Sequence, residues 1–152
     1  MKKMKWLVVW MFLCSAVMSS CKDDPDCSLE QPYDEFVIGF YDERSLELDT
    51  LRFDFVSAEG SDTILYNSED TLSYFSFKLN PAADSVTYYF LTGVSVDTLQ
   101  LTYDRDLEWL SERCGPFFNY AKLKVAFHTF DSVSVEQSAI DITVDENIKI
   151  YN

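Results

Sequence analysis

From Glu35 to the end of the chain, apolar residues recur at every second position between short clusters of Asp, Ser, Asn and Gly. A period of two places alternate side chains on one face of a strand, so the pattern predicts β-strands with one core-facing side. The predicted inward-facing residues are Phe36, Ile38 and Phe40; Leu51, Phe53 and Phe55; Phe75, Phe77 and Leu79; Val86, Tyr88 and Phe90; Leu99, Leu101 and Tyr103; Leu123, Val125 and Phe127; and Ile140, Ile142, Val144, Ile148 and Ile150.

The predicted strands are short, rich in β-branched and aromatic residues, and polar on their second face. Antiparallel sheets that are covered on one side only have this alternation. We therefore expect an all-β domain, an antiparallel β-sandwich of about eight strands that is immunoglobulin-like in general architecture. A small β-barrel is the alternative. One short helical turn is expected at 106–113, with Leu107, Trp109 and Leu110 as its apolar residues.

The first twenty residues have the pattern of a signal peptide. Three lysines within the first five positions precede an apolar stretch from 6 to 18, which is shorter than the roughly 20 residues of a spanning helix. Ser19-Ser20-Cys21 then resembles the bacterial lipobox, in which the cysteine is acylated and becomes the first mature residue. The expected organisation is a signal peptide at 1–20, a lipidated tether at 21–34 and a β-sandwich domain at 35–152. The alternative is an ordinary signal peptide in which Cys21 has no role.

The positions of the four cysteines predict different roles for them. Cys14 leaves with the signal peptide and Cys21 is taken by lipid, which leaves Cys27 and Cys114 in an oxidising compartment. We expect a disulfide between them, closing a loop of nearly ninety residues, for which the chain-entropy model gives about 4 to 5 kcal/mol. The alternatives are two free thiols or a metal pair. With His128 as the one histidine, the two thiols make an incomplete zinc set, so no metal site is expected.

The charge balance excludes one class of partner. Removal of the signal peptide leaves nine basic and 26 acidic residues, a formal net charge of −17. Binding to nucleic acid depends on Lys and Arg that neutralise phosphates, so no nucleic-acid partner is expected. The same acidity opposes electrostatic docking on anionic lipid, and the membrane is therefore expected to be reached through the N-terminal lipid.

Candidate catalytic groups are few. His128 is the one histidine and falls on the polar phase of its strand beside Lys122 and Lys124. The chain contains no GxSxG nucleophile motif and no glycine-rich phosphate loop. We expect no enzymatic activity and no cofactor; the alternative is a hydrolase that uses His128 or a pair of acidic residues.

Tyrosines are the better indication of a surface that binds something. Tyr41, Tyr74, Tyr89 and Tyr120 fall out of phase with the core residues of their strands. Exposed aromatic faces stack on sugars or anchor a protein partner, so these four form a candidate binding surface. The alternatives are that both faces of a sandwich sheet are partly covered, or that Tyr simply favours strands.

Trp109, the one tryptophan of the mature chain, belongs to a distinctive segment at 107–118 that contains Cys114-Gly115-Pro116. A bonded Cys114 would make this loop rigid, and rigid loops on β-sandwiches often carry binding. We therefore add Trp109 to the candidate binding surface. The alternative is a stapled corner in which Trp109 acts as a plug.

Two resemblances to known proteins indicate a cellular location and a family. Lys22-Asp23-Asp24 directly after Cys21 looks like the surface-export signal of Bacteroidota lipoproteins. The chain from 22 to 150 is also similar to a family of uncharacterised Bacteroidota outer-membrane lipoproteins. The residues that carry this second resemblance are Lys22-Asp23-Asp24 with Cys27, the Phe-x-x-Gly-Phe-Tyr-Asp run from Phe36 to Asp42, the spacing Asp97-Thr98-Leu99-x-Leu101-x-Tyr103-x-Arg105, and Ser111-x-x-Cys114-Gly115.

The resemblances imply a lipid-anchored protein of the outer membrane, facing either the periplasm or outward, and lend no catalytic residue. We expect a cell-envelope binding or assembly module with an outer-membrane protein or a glycan as its partner. An accessory glycan-binding surface lipoprotein is the first alternative and a hydrolase the second.

Overall fold

The computed structural model describes Cys27 and residues 35–61, 64–66, 71–140 and 146–152. Within these ranges the chain forms nine strands and no helix, and none of these residues belongs to a helix able to cross a membrane. The prediction of an all-β domain is confirmed. The strands are β1 (Glu35–Tyr41), β2 (Phe55–Ala58), β3 (Ile64–Tyr66), β4 (Tyr74–Lys78), β5 (Ser85–Thr92), β6 (Ser95–Ser111), β7 (Gly115–His128), β8 (Ser132–Val135) and β9 (Ile148–Tyr151).

The strands form two sheets that pack face to face. One has the order β4-β1-β9-β8 and the other the order β3-β2-β5-β6-β7. Neighbouring strands are antiparallel except β1 and β9, which run parallel. The described strands close no barrel, so the sandwich is confirmed and the barrel alternative is wrong.

Aromatic rings from both sheets fill the space between them. Phe36 and Phe40 of β1 are fully buried, as are Tyr88 and Phe90 of β5 in the facing sheet. Ring centroids lie 5.7 Å apart for Phe36 and Tyr88 and 4.9 Å apart for Phe77 and Tyr88. These tilted, offset contacts are the arrangement that aromatic quadrupoles favour. The period of two in β1, β4 and β5 therefore identified the core correctly.

Asn147 is a buried polar residue that joins β9 to β1. Its side-chain oxygen accepts a hydrogen bond from the Val37 amide at 2.9 Å, and its amide nitrogen donates to the carbonyls of Gln137 and Ala139 at 3.3 and 3.2 Å. Its backbone amide donates to the carbonyl of Val37 at 2.9 Å. The side chain thus supplies partners that the end of a parallel strand pair would otherwise lack.

The helical turn expected at 106–113 is wrong, because β6 continues as a strand to Ser111. There β6 pairs with β7, with Leu107 opposite Phe118 and Trp109 opposite Pro116. The antiparallel ladder satisfies more backbone groups than one or two isolated helical turns would. The chain then reverses over 112–114, and Gly115 adopts a φ of 79° as the return strand begins.

Two register shifts in β7 change which side chains face the core. Thr102 pairs with Lys124 and Asp104 with Ala121, so two residues of β7 stand opposite one of β6, and Lys122 has a φ of 55°. Each such bulge reverses the alternation of side chains. Tyr120, predicted to be exposed, is therefore buried (3% exposed), and Phe127, predicted to face the core, is 54% exposed.

The chain divides into two units, Met1–Glu30 and Gln31–Asn152, and all nine strands belong to the second. Cys27, the one described residue of the first unit, and Cys114 form a disulfide, as the sequence predicts. The signal peptide at 1–20, Cys21, the export-signal residues Lys22, Asp23 and Asp24, and the tether residues 28–34 lie outside the described residues. So do Ile142 and Val144 of the last predicted strand.

Replacing Asn147 by Ala is expected to lower the free energy of unfolding by roughly 2 to 4 kcal/mol, because the Val37 amide and two carbonyls lose their buried partner. Urea denaturation followed by tyrosine fluorescence would measure the loss. Asn119→Ala is the matched control, since Asn119 is exposed and its replacement should change stability by less than about 0.5 kcal/mol. Equal effects of the two substitutions would contradict the role given to Asn147.

Candidate functional site

The five aromatic residues predicted as one binding surface lie in four different places. Tyr41 and Tyr74 come together on the outer face of the four-stranded sheet, because Tyr74 pairs with Gly39, two residues before Tyr41. Tyr89 is half-buried in β5 of the other sheet. Tyr120 lies in the core and Trp109 lies near the end of β6, where it is exposed.

Tyr41 and Tyr74 belong to a larger group, which we call the tyrosine patch: Tyr41, Tyr74, Glu146, Lys149 and Tyr151. Tyr151 stands opposite Tyr41 on β9, with the two ring centroids 5.7 Å apart. The Lys149 ammonium lies 5.2 Å from the centre of the Tyr41 ring, within the range of a cation–π contact. Tyr74, at 48% exposed, presents a ring to solvent at the edge of the patch.

Glu146 is the most buried charged group of the patch, with only 13% of its side chain exposed. Its Oε2 accepts a hydrogen bond from the Tyr41 hydroxyl at 2.9 Å and lies 4.0 Å from the Lys149 ammonium. Its Oε1 is buried without a hydrogen-bond partner. A carboxylate oxygen in that state is destabilised relative to one in water.

Gly39 makes the position of Glu146 possible. A Cβ atom at residue 39 would lie 1.7 Å from Oε1 of Glu146. The carboxylate therefore occupies the volume that any other residue would fill with its side chain. This explains a glycine within a strand whose neighbours are otherwise large, a setting in which glycine commonly marks a close approach.

Burial raises the pKa of both partners in the hydrogen bond between Tyr41 and Glu146. Burial raises the pKa of Glu146, although the Tyr41 hydroxyl and the Lys149 charge oppose the shift. Burial raises the pKa of Tyr41 as well, and the hydrogen bonds to Glu146 and Tyr74 add to that effect. Tyr41 therefore remains a protonated donor at neutral pH rather than a nucleophile or base. The patch can stack on a ligand and exchange hydrogen bonds with it, but Tyr41 supplies no proton-transfer chemistry.

A second exposed feature is the free end of the β6–β7 hairpin. Leu107 and Trp109 are 64% and 67% exposed, and they share one face with Pro116 and Phe118 on β7. The Arg105 guanidinium lies 5.6 Å from the centre of the Phe118 ring at the base of this group. The indole of Trp109 lies in solvent. The alternative expectation, that Trp109 fills a corner closed by the disulfide, is therefore wrong.

The histidine considered for catalysis lies elsewhere. His128 pairs with Leu99 after the second register shift, and its Nδ1 is 3.0 Å from the carbonyl oxygen of Phe130. A cavity of about 220 Å³ has Phe130 among its lining residues, together with Arg52, Phe53 and Asp97. Among the described residues, no three His, Cys, Asp or Glu side chains come together as metal ligands.

Residues 53–152 match the model of a family of unknown function, DUF6452. The chain belongs to DUF6452. The part that matches DUF6452 includes β2 to β9 and with them Tyr74, Glu146, Lys149 and Tyr151 of the tyrosine patch, whereas Gly39 and Tyr41 precede it. No curated protein and no solved structure matches this DUF6452 chain.

Sequence reasoning found two of the five patch residues and missed Glu146, Lys149 and Tyr151. Tyr151 alternates with the core residues Ile148 and Ile150, so the same out-of-phase rule would have selected it. Glu146 carries no such signal, since one glutamate among 26 acidic residues is not distinguished by its neighbours. The parallel pairing of β1 and β9 is what brings it over Gly39.

Gly39→Ala is expected to lower the free energy of unfolding by about 1 to 3 kcal/mol, because the added methyl group displaces the Glu146 carboxylate. Making the same change in a Glu146→Ala background provides the control. There the penalty should be much smaller, and a double-mutant cycle measured by urea denaturation would show strong coupling between the two sites. Additive effects would contradict the proposed packing.

Glu146→Gln is expected to be more stable than the natural chain at pH 7. A raised pKa means that the folded state binds a proton more tightly than the unfolded state, so the stability of the natural chain falls as pH rises through the interval above the ordinary carboxyl value of 4.5. The advantage of the variant should therefore shrink as pH is lowered through that interval and vanish below it. Denaturation curves at a series of pH values would measure this, and an advantage independent of pH would contradict it.

Proposed function

We propose that this DUF6452 chain is a lipid-anchored binding or assembly module of the bacterial outer membrane that lacks catalytic activity. The three early lysines, the apolar stretch and Ser19-Ser20-Cys21 support acylation of Cys21. Lys22-Asp23-Asp24 resembles a Bacteroidota surface-export signal and supports an outer-membrane location, on the periplasmic or the outward side. A net charge of −17 for the mature chain agrees with attachment through lipid rather than through basic residues.

The tyrosine patch is the observation that carries the binding part of this proposal. Three tyrosines, a lysine and a glutamate that pack on the outer face of a sheet are not needed to fill the core between the sheets. Tyrosine combines a large apolar ring with a hydroxyl donor at low conformational entropy, which is why it is enriched where proteins bind partners. An outer-membrane protein that buries the rings of Tyr74 and Tyr151 would gain apolar contact with the rings and hydrogen bonds with their hydroxyls.

A glycan is the second candidate ligand, because the patch combines ring faces with charged hydrogen-bonding groups. Tyrosine rings can stack on the apolar faces of sugars, and the Lys149 ammonium can donate to their hydroxyls. The net acidity of the chain favours a neutral polysaccharide over an anionic one in this role.

Anchoring is tested by replacing Cys21 with Ala. The variant is expected to leave the membrane fraction while keeping the Cys27–Cys114 disulfide and the stability of the domain, because lipid and fold depend on different cysteines. Fractionation together with a urea denaturation curve would measure both properties. Retention of the variant in the membrane fraction would contradict the proposal of a lipid anchor.

Binding is tested by cross-linking and pull-down of the lipidated protein from intact envelopes, with Tyr74→Ala as the test variant. Tyr89→Ala is the matched control, since Tyr89 lies on the other sheet. Recovery of one stoichiometric outer-membrane protein that is lost with Tyr74→Ala and kept with Tyr89→Ala would support an assembly role. Patch-dependent retention on immobilised polysaccharide would support the glycan instead. Equal recovery of any ligand by both variants would contradict a role for the patch.

A further inference from the structure

The free end of the β6–β7 hairpin has an apolar face on which Leu107 and Trp109 are 64% and 67% exposed. We call the set Leu107, Trp109, Pro116 and Phe118 the hairpin face. Leu107 stands opposite Phe118 and Trp109 opposite Pro116, so the four side chains project on the same side of the ladder. They continue, through Arg105 at the base of the face, the row of Tyr103 and Tyr120, whose rings contact each other inside the core. Beyond that ring pair the row leaves the sandwich and becomes exposed.

The opposite side of the same hairpin carries its acidic groups, together with Phe117. There Asp106 pairs with Asn119, and Glu108 pairs with Phe117. Asp106, Glu108 and Asn119 are all exposed. The hairpin is therefore amphipathic, with its acidic groups directed away from the hairpin face. Such an element can lay its apolar side on a boundary between apolar and aqueous phases without burying a charge.

The disulfide between Cys27 and Cys114 indicates which boundary between apolar and aqueous phases the hairpin face can reach. Cys114 lies in the turn at the end of the hairpin, and its partner Cys27 follows Cys21 by six residues. Six extended residues span at most about 20 Å, so the covalent path from an acylated Cys21 to the hairpin turn is short. This step rests on the lipid anchor proposed above. With that anchor in a bilayer, the path connects the hairpin turn to the membrane surface.

We propose that the hairpin face docks on the lipid surface, with Trp109 and Leu107 at the boundary between headgroups and acyl chains. Tryptophan favours this boundary because its ring is apolar and its N–H is a hydrogen-bond donor. The acidic side of the hairpin and the net charge of −17 make a zwitterionic lipid surface the matching partner rather than an anionic one. The disulfide adds a second point of attachment to that of the acyl chains and restricts how the domain can stand on the membrane.

Trp109 is a built-in reporter, because Trp6 and Trp10 leave with the signal peptide. The mature lipidated protein would be reconstituted into phosphatidylcholine vesicles, with and without bromine on the upper part of the acyl chains. Docking predicts that Trp109 emission shifts to shorter wavelength and loses most of its intensity in the brominated vesicles. Vesicle flotation on the same samples would report membrane attachment independently.

A control variant moves the reporter to the other end of β6. Trp109→Phe combined with Val94→Trp places the single indole in the β5–β6 turn, where Val94 is fully exposed and far along the strand from the hairpin turn. Its emission should be that of a solvent-exposed indole and should not respond to bromine. Both changes are on the surface, so the fold is expected to persist, and its urea denaturation curve would verify this.

The outcomes separate this inference from the proposed function. A protein that floats with the vesicles while Trp109 stays unquenched and solvent-exposed overturns the docking and leaves the lipid anchor intact. A protein that fails to float contradicts the anchor and overturns the docking with it. A blue shift that grows with protein density and occurs without bromine quenching assigns the hairpin face to a second copy of the chain, and this too overturns the docking.

Discussion

The parallel pairing of β1 with β9 brings strands from opposite ends of the domain sequence into direct contact, and the tyrosine patch depends on that pairing. It places Tyr151 beside Tyr41, and it brings Glu146 over Gly39. Parallel neighbours cannot be connected by a tight turn, so the register must be set by side chains and by the rest of the fold. Asn147 meets this need by hydrogen bonding from β9 to the backbone of β1 and to the segment after β8.

Side chains on the two faces of the four-stranded sheet affect the free energy of unfolding in opposite ways. On the inner face, rings such as Phe36 and Phe40 lose all contact with water, and each buried side chain of this size contributes roughly 1.5 to 3 kcal/mol. On the outer face, Glu146 holds a carboxylate in a position where one oxygen has no partner. That arrangement opposes stability at neutral pH, yet it orients Tyr41 and Lys149. Local conflict of this kind is expected at functional or strained sites, which agrees with the binding role proposed for the patch.

The hairpin of β6 and β7 shows how a small change of register redistributes side chains. One bulge near Lys122 turns Tyr120 into the core, and a second shift turns Phe127 into solvent. Past Tyr120, among the described strands, β6 and β7 pair only with each other, and their inner face carries the exposed Leu107 and Trp109. The same alternation that produces a core in one half of β6 therefore produces an exposed apolar strip in the other half.

Three features were predictable from the sequence: the all-β class, the core faces of β1, β4, β5 and β9, and the pairing of Cys27 with Cys114. These follow from a period of two and from the count of cysteines that remain once Cys14 and Cys21 are assigned to the proposed signal peptide and lipid anchor, both of which are local or arithmetic properties. Two residues of the tyrosine patch, Tyr41 and Tyr74, could also be predicted from the sequence, because they alternate with the core residues of their strands.

Tertiary structure alone decided the rest. Three features depend on the arrangement of residues far apart in the chain. They are the parallel pairing of β1 with β9, the position of the Glu146 carboxylate against Gly39, and the exposure of Trp109. The extension of β6 through 106–111 depends on pairing with β7, which overrode a weak local tendency to form a helix. The burial of Tyr120 depends on a bulge whose position no periodicity reveals, because one inserted residue reverses every side chain beyond it.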